Sequence, residues 1–300
     1  MKGARKYLEE AGFTEITIPH ITRATGACEN IATMFNVDFF GEKRYLAQTG
    51  QLYLEVLTQS LDKVWACGPS FRAEERVDMR HLCEFTLLEL EFKGGFNELL
   101  EQIENVITSM VHSALERKEE LKTLGSDIKM LEELTKPFRR ITYSEAVDKL
   151  REYGVQWGDD LKEFHERKLI EIMGNRPLLV THYPKRIKFF NMREDPSNPE
   201  QVLSADLLLP FSGEAVGAAE REYNYERLYK RLVESNMFAM LSERGGKLED
   251  FGWYLNFYKE NGGVQHSGFG VGVNRVAQFV MCQNDIRGST VWPVNKESDF

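Results

Sequence analysis

The chain has no paired cysteines to staple it and no apolar run to hold it in a bilayer. Its four cysteines, Cys28, Cys67, Cys83 and Cys282, are scattered, with no CxxC and no Cys/His spacing. That excludes a zinc-binding or disulfide framework and fits a reducing compartment. No segment approaches the roughly 20 apolar residues of a membrane-spanning helix. The N-terminal stretch MKGARKYLEEAGF also lacks a secretory apolar core. The expectation is a cytoplasmic protein with no membrane partner. An excess of positive charge is missing too: 38 Lys and Arg face 47 Asp and Glu, a net charge of −9. The chain as a whole is therefore no generic polyanion binder. Only Lys185-Arg186-Ile187-Lys188 and Lys230-Arg231 offer local basic surface. Repeats, low-complexity tracts and Pro/Gly/Ser linkers are absent, so one domain over residues 1–300 is expected.

What is present is an irregular alternation of strands and helices dominated by hairpins, which favours an α+β fold on an antiparallel sheet. Residues 64–74 and 84–92 read as two strands around a polar loop, with side chains alternating across each strand. Leu88, Leu90 and Phe92 take one face; Phe85, Leu87, Glu89 and Glu91 take the other, and Arg72 and Glu74 share a face. Leu99, Leu100, Ile103, Val106, Ile107, Met110, Val111 and Leu115 recur at helical period and predict a helix over 97–122. Shorter helices are expected at 1–10, 51–61, 143–153, 161–173, 223–235 and 273–282. Further strands are expected at 13–18, 177–180, 187–192, 203–209 and 214–218, with a hairpin around Gly41-Glu42-Lys43.

Three groups carry chemistry. Arg72 and Phe85 offer a phosphate a guanidinium and a base a ring. Asp206 and Glu214, on neighbouring strands, suit Mg²⁺ shared with a nucleotide phosphate. Gly268-Phe269-Gly270-Val271-Gly272 leads into the helix that carries Arg275, and such a glycine-rich approach to a helix start favours anions. It is neither a dinucleotide fingerprint nor a P-loop, since no βαβ unit surrounds it and no GK[ST] follows. Solvated faces and ordinary cross-strand ion pairs are the bland alternative for each group taken alone.

Taken in order, GFTEITIP, FRAEERVDMRHLCEFTLLELE and GFGVGVNRV resemble motifs 1, 2 and 3 of the class II aminoacyl-tRNA synthetase catalytic core, subclass IIb. Within the subclass, AQTGQLYLE, HERKLIEIMGNRPLLVTHYPKRIKFFNM and GEAVGAAERE are similar to segments of the asparaginyl enzymes, and Leu54 stands where the aspartyl enzymes have lysine. The resemblance covers essentially the whole chain. It implies a class II antiparallel sheet flanked by helices, ATP as substrate, Mg²⁺, and a homodimer through the N-terminal motif. By the same resemblance, Arg72 meets the α-phosphate, Arg275 the γ-phosphate, and Phe85 stacks on adenine. Glu74 meets the adenine edge or the acceptor end, and His81 lies near the distal phosphates. Asp206 and Glu214 hold Mg²⁺. Glu29, Gln48 and Gln51 surround the amino-acid ammonium, and Glu55 and Arg221 read its side chain. Arg72 and Arg275 are the candidate catalytic residues.

The chain departs from the family pattern at several positions. Met1 falls within what the resemblance makes the motif 1 helix, so the expectation is a short natural protein without the anticodon-reading OB-fold. Ala218-Ala219-Glu220 replaces Gly-Ser-Gln-like residues and adds a carboxylate, Glu220, beside Arg221. Asn274 replaces an acid, and Val294-Asn295 stands where the family has arginine. The expected function is ATP-dependent adenylation of asparagine, aspartate or a close analogue by a tRNA-independent amide ligase of asparagine-synthetase type. The alternatives are an asparagine–tRNA ligase acting through the acceptor stem and an inactive ATP-binding regulatory paralogue. A tRNA partner is possible on this reading but not favoured.

Overall fold

A computed structural model describes residues 1–23 and 31–298. Its centre is an eight-stranded sheet. The strands run in the order Thr14–Glu15, Lys63–Phe71, Glu84–Phe92, Ser267–Gly272, Gly213–Glu220, Ser204–Leu209, Leu178–Thr181 and Arg139–Thr142. Neighbours are antiparallel except at the two edges, where Thr14–Glu15 and Arg139–Thr142 each pair in parallel. This is the α+β fold on an antiparallel-dominated sheet expected from the sequence.

The two faces of the sheet do different work because alternation sorts the side chains. Leu88, Leu90, Phe92, Ala205, Leu207, Leu209, Phe269 and Val271 all point to one side and are buried there under the helix Phe96–Leu115. Each fully buried Leu or Phe contributes about 1.5–3 kcal/mol. The helix Lys2–Glu10 packs Ala4 and Leu8 into the same core. The opposite face carries Phe85, Leu87, Glu89 and Glu91, and it forms the floor of a cleft. Two further apolar clusters wall that cleft. One is built from Phe189, Phe190, Tyr254 and Leu255, the other from Tyr143, Leu169, Val180 and Leu208.

Several elements differ from the sequence expectation. The first strand shrinks from residues 13–18 to Thr14–Glu15. The long helix stops at Leu115, and a separate short helix, Lys118–Thr123, follows. The charged tail beyond Leu115 buries only Leu121, so no apolar stripe extends the first helix. Residues 187–192 form no strand. Phe189 and Phe190 are both buried in the apolar cluster beside the cleft, and the segment makes only an isolated bridge, Met192 to Arg221, in place of a ladder. The Arg231 guanidinium instead donates to the carbonyls of Met192 and Phe189 (3.2 Å to the latter), satisfying backbone that a ladder would otherwise pair. Gly268 to Gly272, read from the sequence only as an approach to a helix, form a central strand.

Candidate active site

The cleft is a cavity of 1030 Å³ lined along its length by Arg72, Arg80, His81, Phe85, Asp206, Glu214, Arg275, Glu91 and Arg221. At one end three guanidinium groups converge. The first strand of the central hairpin stops at Phe71, and Arg72 leaves the ladder with its N–H on the Cys83 carbonyl at 2.8 Å. Its guanidinium lies 5.3 Å from the centre of the Phe85 ring. Arg275, in the first turn of the helix Val273–Met281, donates from Nη1 to the carbonyls of Ser212 (3.0 Å) and Glu214 (2.8 Å). Its Nη2 donates to the Arg80 carbonyl at 3.1 Å. Burial, and then the Arg80 cation with Arg72 beyond it, hold Arg275 below the usual arginine range. Cations crowd this way where an anion of several charges is to be received. His81 shares the site, with Nδ1 2.8 Å from Asp78 Oδ2. Glu74 is not part of the cavity lining.

Asp206 and Glu214 both line the cavity beside the arginines. A bulge between Leu207 and Leu208 sets Glu214 opposite Leu208 and so turns it to the cleft. Asp206 Oδ2 accepts from Lys188 Nζ at 2.6 Å. No cluster of three or more acidic, His or Cys ligands occurs among the described residues. Two carboxylates next to a polyanion site are nevertheless the donor set Mg²⁺ uses when phosphates complete its shell.

At the other end the charges are buried. Arg221 donates from Nε and Nη2 to Glu91 Oε1, at 3.0 and 2.8 Å. Glu55 stands behind, 3.8 Å from Arg221 Nε. Its Oε1 accepts from Gln51 Nε2 (2.7 Å) and Asn191 Nδ2, and its Oε2 accepts from the Tyr254 hydroxyl at 2.6 Å. Burial pushes Glu55 up, but hydrogen bonding and charge from His266, together with Arg221, outweigh it and hold the carboxyl below its ordinary value. Burial raises Glu91 to about 7 against the pull of Arg221. Glu91 Oε2 is buried without a hydrogen-bond partner among the described residues, as are Asn191 Oδ1 and Gln48 Oε1. Gly268 is required here: a Cβ on it would fall on the Glu91 carboxylate.

Gln48 and Gln51 line the cavity, as does Leu54; Glu29 lies outside the described residues. Glu55 does not line it and acts from behind Arg221. Glu220 corrects the sequence expectation. Its side chain leaves by the face of its strand that packs on the helix Phe96–Leu115, away from Arg221. There Oε2 accepts the Phe96 N–H at 2.9 Å, and Oε1 accepts from Gln265 Nε2 at 2.9 Å and from Arg193. Its neighbour in sequence is in the pocket; Glu220 is a helix cap.

Sequence reasoning missed Arg80, Glu89, Glu91, Lys188 and Asn191. Alternation did place Glu89 and Glu91 on the face of Phe85, and two glutamates on a face opposite a Leu/Phe core were the available signal. Glu89 receives the N–H of Gly50 at 2.9 Å and the Thr49 hydroxyl, which anchors the start of the helix Gln51–Leu61 on the floor. Burial raises its carboxyl.

The family described as tRNA synthetases class II (D, K and N) matches residues 1–296. The asparagine–tRNA ligase of Pyrococcus furiosus is 41% identical over 295 residues, 97% of this chain and 65% of that protein. That of Pelotomaculum thermopropionicum is 38% identical, over 97% of this chain and 66% of its own length. The chain thus spans about 65% of the length of such relatives. Among solved structures, asparaginyl-tRNA synthetase from Pyrococcus horikoshii complexed with asparaginyl-adenylate matches with a TM-score of 0.91 at 37% identity, covering 100% of this chain and 67% of that one. Asparaginyl-tRNA synthetase of Entamoeba histolytica with the same adenylate matches at 0.84 and 29% identity, covering 99% and 66%. The chain belongs to the class II tRNA synthetases of the D, K and N group.

Proposed function

We propose that the chain activates asparagine, or a close neutral analogue, by forming its adenylate from ATP. The observation that carries this is one continuous cavity with a triple-arginine end and a buried Arg221–Glu91–Glu55 end. The amino-acid carboxylate attacks the α-phosphorus, the bond to the bridging oxygen breaks, and pyrophosphate leaves. Arg72 meets the charge that builds on the α-phosphate, and Arg275 and His81 hold the distal phosphates. Phe85 supports the adenine. Aligning two anions that repel each other is the main task, and fixed cations do it without a covalent enzyme intermediate. Asp206 and Glu214 are the residues to hold Mg²⁺, which when bound neutralises the distal phosphates.

An amide suits the pocket better than a carboxylate does. Arg221 is the cation of the network, and Glu91 and Glu55 already face it. A third buried carboxylate would add like charge in a low dielectric. An amide brings no charge to that network and offers a donor to its carboxylates as well as an acceptor to Arg221. This favours asparagine over aspartate, and with it transfer to a tRNA, the activity of the asparagine–tRNA ligases this chain is similar to. The tRNA-independent amide ligase starts from aspartate and is the second reading, weakened because Glu220 turns away from Arg221. Retention of both phosphate arginines and both metal carboxylates counts against an inactive paralogue.

ATP–pyrophosphate exchange with asparagine and aspartate in parallel tests this. Exchange with asparagine is expected, and Arg72→Ala is expected to abolish it with the far-UV spectrum unchanged. No exchange with either amino acid overturns the reading. Exchange with aspartate and ammonia-dependent asparagine formation select the amide ligase.

A further inference from the structure

Glu166 belongs to none of the roles above. It comes from the helix Glu163–Ile172, and its side chain is 7% exposed. Its Oε2 accepts from Arg80 Nη2 at 2.7 Å and from the backbone N–H of Glu214 at 3.1 Å. The Arg80 carbonyl accepts from Arg275 Nη2, and Arg275 Nη1 returns to the Glu214 carbonyl. These bonds close a ring through four chain segments far apart in sequence: the helix of Glu166, the loop before Glu84, the turn into Gly213–Glu220, and the helix of Arg275. Room for the ring depends on Gly213, at φ +68; a Cβ there would stand 2.6 Å from Arg80 Nη2 and closer still to Glu166 Oε2.

The ring has a chemical direction. Arg80 and Arg275 repel each other, with Arg72 adding to the repulsion. One buried carboxylate beside them offsets part of that cost and fixes the fork of Arg80. Arg80 and Glu166 both line the cavity that holds Arg72 and Arg275, and among the described residues Arg80 meets Glu166 through Nη2 while Nη1 has no hydrogen-bond partner. The guanidinium therefore keeps unused donors at the phosphate end.

We propose that Glu166 is a positioning residue for the triphosphate: it aims Arg80 at the distal phosphates and fixes the backbone of Glu214 opposite. This rests on the ATP reading above. Glu166 touches no part of the amino-acid end, so its removal acts on one substrate. The test measures KM for ATP and for asparagine separately by pyrophosphate exchange, with ATP binding read independently by calorimetry. In Glu166→Ala, the loss of a charge-assisted contact is expected to raise the ATP KM and Kd by about tenfold or more, with the asparagine KM within about twofold. In Glu166→Gln, which keeps an acceptor but no charge, a rise of about threefold is expected.

Equal rises in both KM values, or no change in the ATP KM, overturn the proposal. If Glu166→Ala does not fold, Glu166→Gln decides: an unchanged ATP KM overturns it, and a rise confined to ATP supports it. A wild-type protein that neither exchanges pyrophosphate nor binds ATP overturns the ATP reading itself. A wild type that does both, with variants like it, overturns only the role of Glu166.

Discussion

Glu220 and Arg221 are adjacent in sequence and opposite in consequence. Arg221 turns to the cleft and is clamped by Glu91, while Glu220 turns through the sheet to cap the helix Phe96–Leu115. Glu220→Gln is therefore expected to lower stability, on the order of 1–3 kcal/mol for a charged hydrogen-bond acceptor lost to buried donors. Thermal or urea unfolding measures that loss. The asparagine-to-aspartate preference should stay as it is, and a changed preference with unchanged stability would refute the placement. Glu91 supplies a pH test. Its carboxyl is raised to about 7, well above its unfolded value near 4.3. The stability it contributes is complete below the unfolded value and is lost as pH rises through about 7. Glu91→Gln removes that dependence, so the melting temperature of the variant relative to wild type should climb between about pH 4.5 and 7 and level off above. A difference that stays flat across this range would show that Glu91 ionises normally.

Among elements, the strand Ser267–Gly272 determines how far the floor of the cleft opens. Phe269 and Val271 face the core, and glycines occupy the cleft side. Gly268→Ala would drive a methyl group into the Glu91 carboxylate and displace it from Arg221. Amino-acid-dependent exchange should fall by about tenfold or more, as for a charged pair pulled out of register. ATP binding by calorimetry should be retained, because Arg275 lies beyond the strand end. Loss of both would mean that the strand itself had been disrupted. Only part of this element was legible in sequence: the glycines were read as an approach to the helix that carries Arg275. That it is a central strand was not legible, since glycine-rich segments carry little strand propensity and only two long-range ladders hold it there.

For the whole molecule, the helix Lys2–Glu10 is anchored by Ala4 and Leu8 against Phe96–Leu115, and by the Tyr7 hydroxyl donating to Gln102 at 2.7 Å. It leads directly into GFTEITIP, the stretch that resembles motif 1, and we infer that it carries a homodimer contact. Analytical ultracentrifugation at micromolar concentration should give about twice the 34.7 kDa chain mass; a monomer would remove the inference. Among the described residues no helix is long and apolar enough to cross a membrane.

By itself the sequence determined the sheet-and-helix class and the two-faced central hairpin, and it singled out most of the residues that line the arginine-rich end of the cleft. Those features rest on period and on residue types that have few other uses together: Arg72 with Phe85, Asp206 with Glu214, Arg275 behind its glycines. Only tertiary structure decided the rest. Arg80, Glu166 and Lys188 act through partners that are tens to over a hundred residues away in sequence or bound only through backbone carbonyls, and no local pattern encodes such pairings. The fate of Glu220 turned on which face of one strand it occupies, which the register against Ser267–Gly272 and the helix beneath it settle. A one-residue step reverses a side chain across a sheet, so adjacency to Arg221 carried no information about where Glu220 would point.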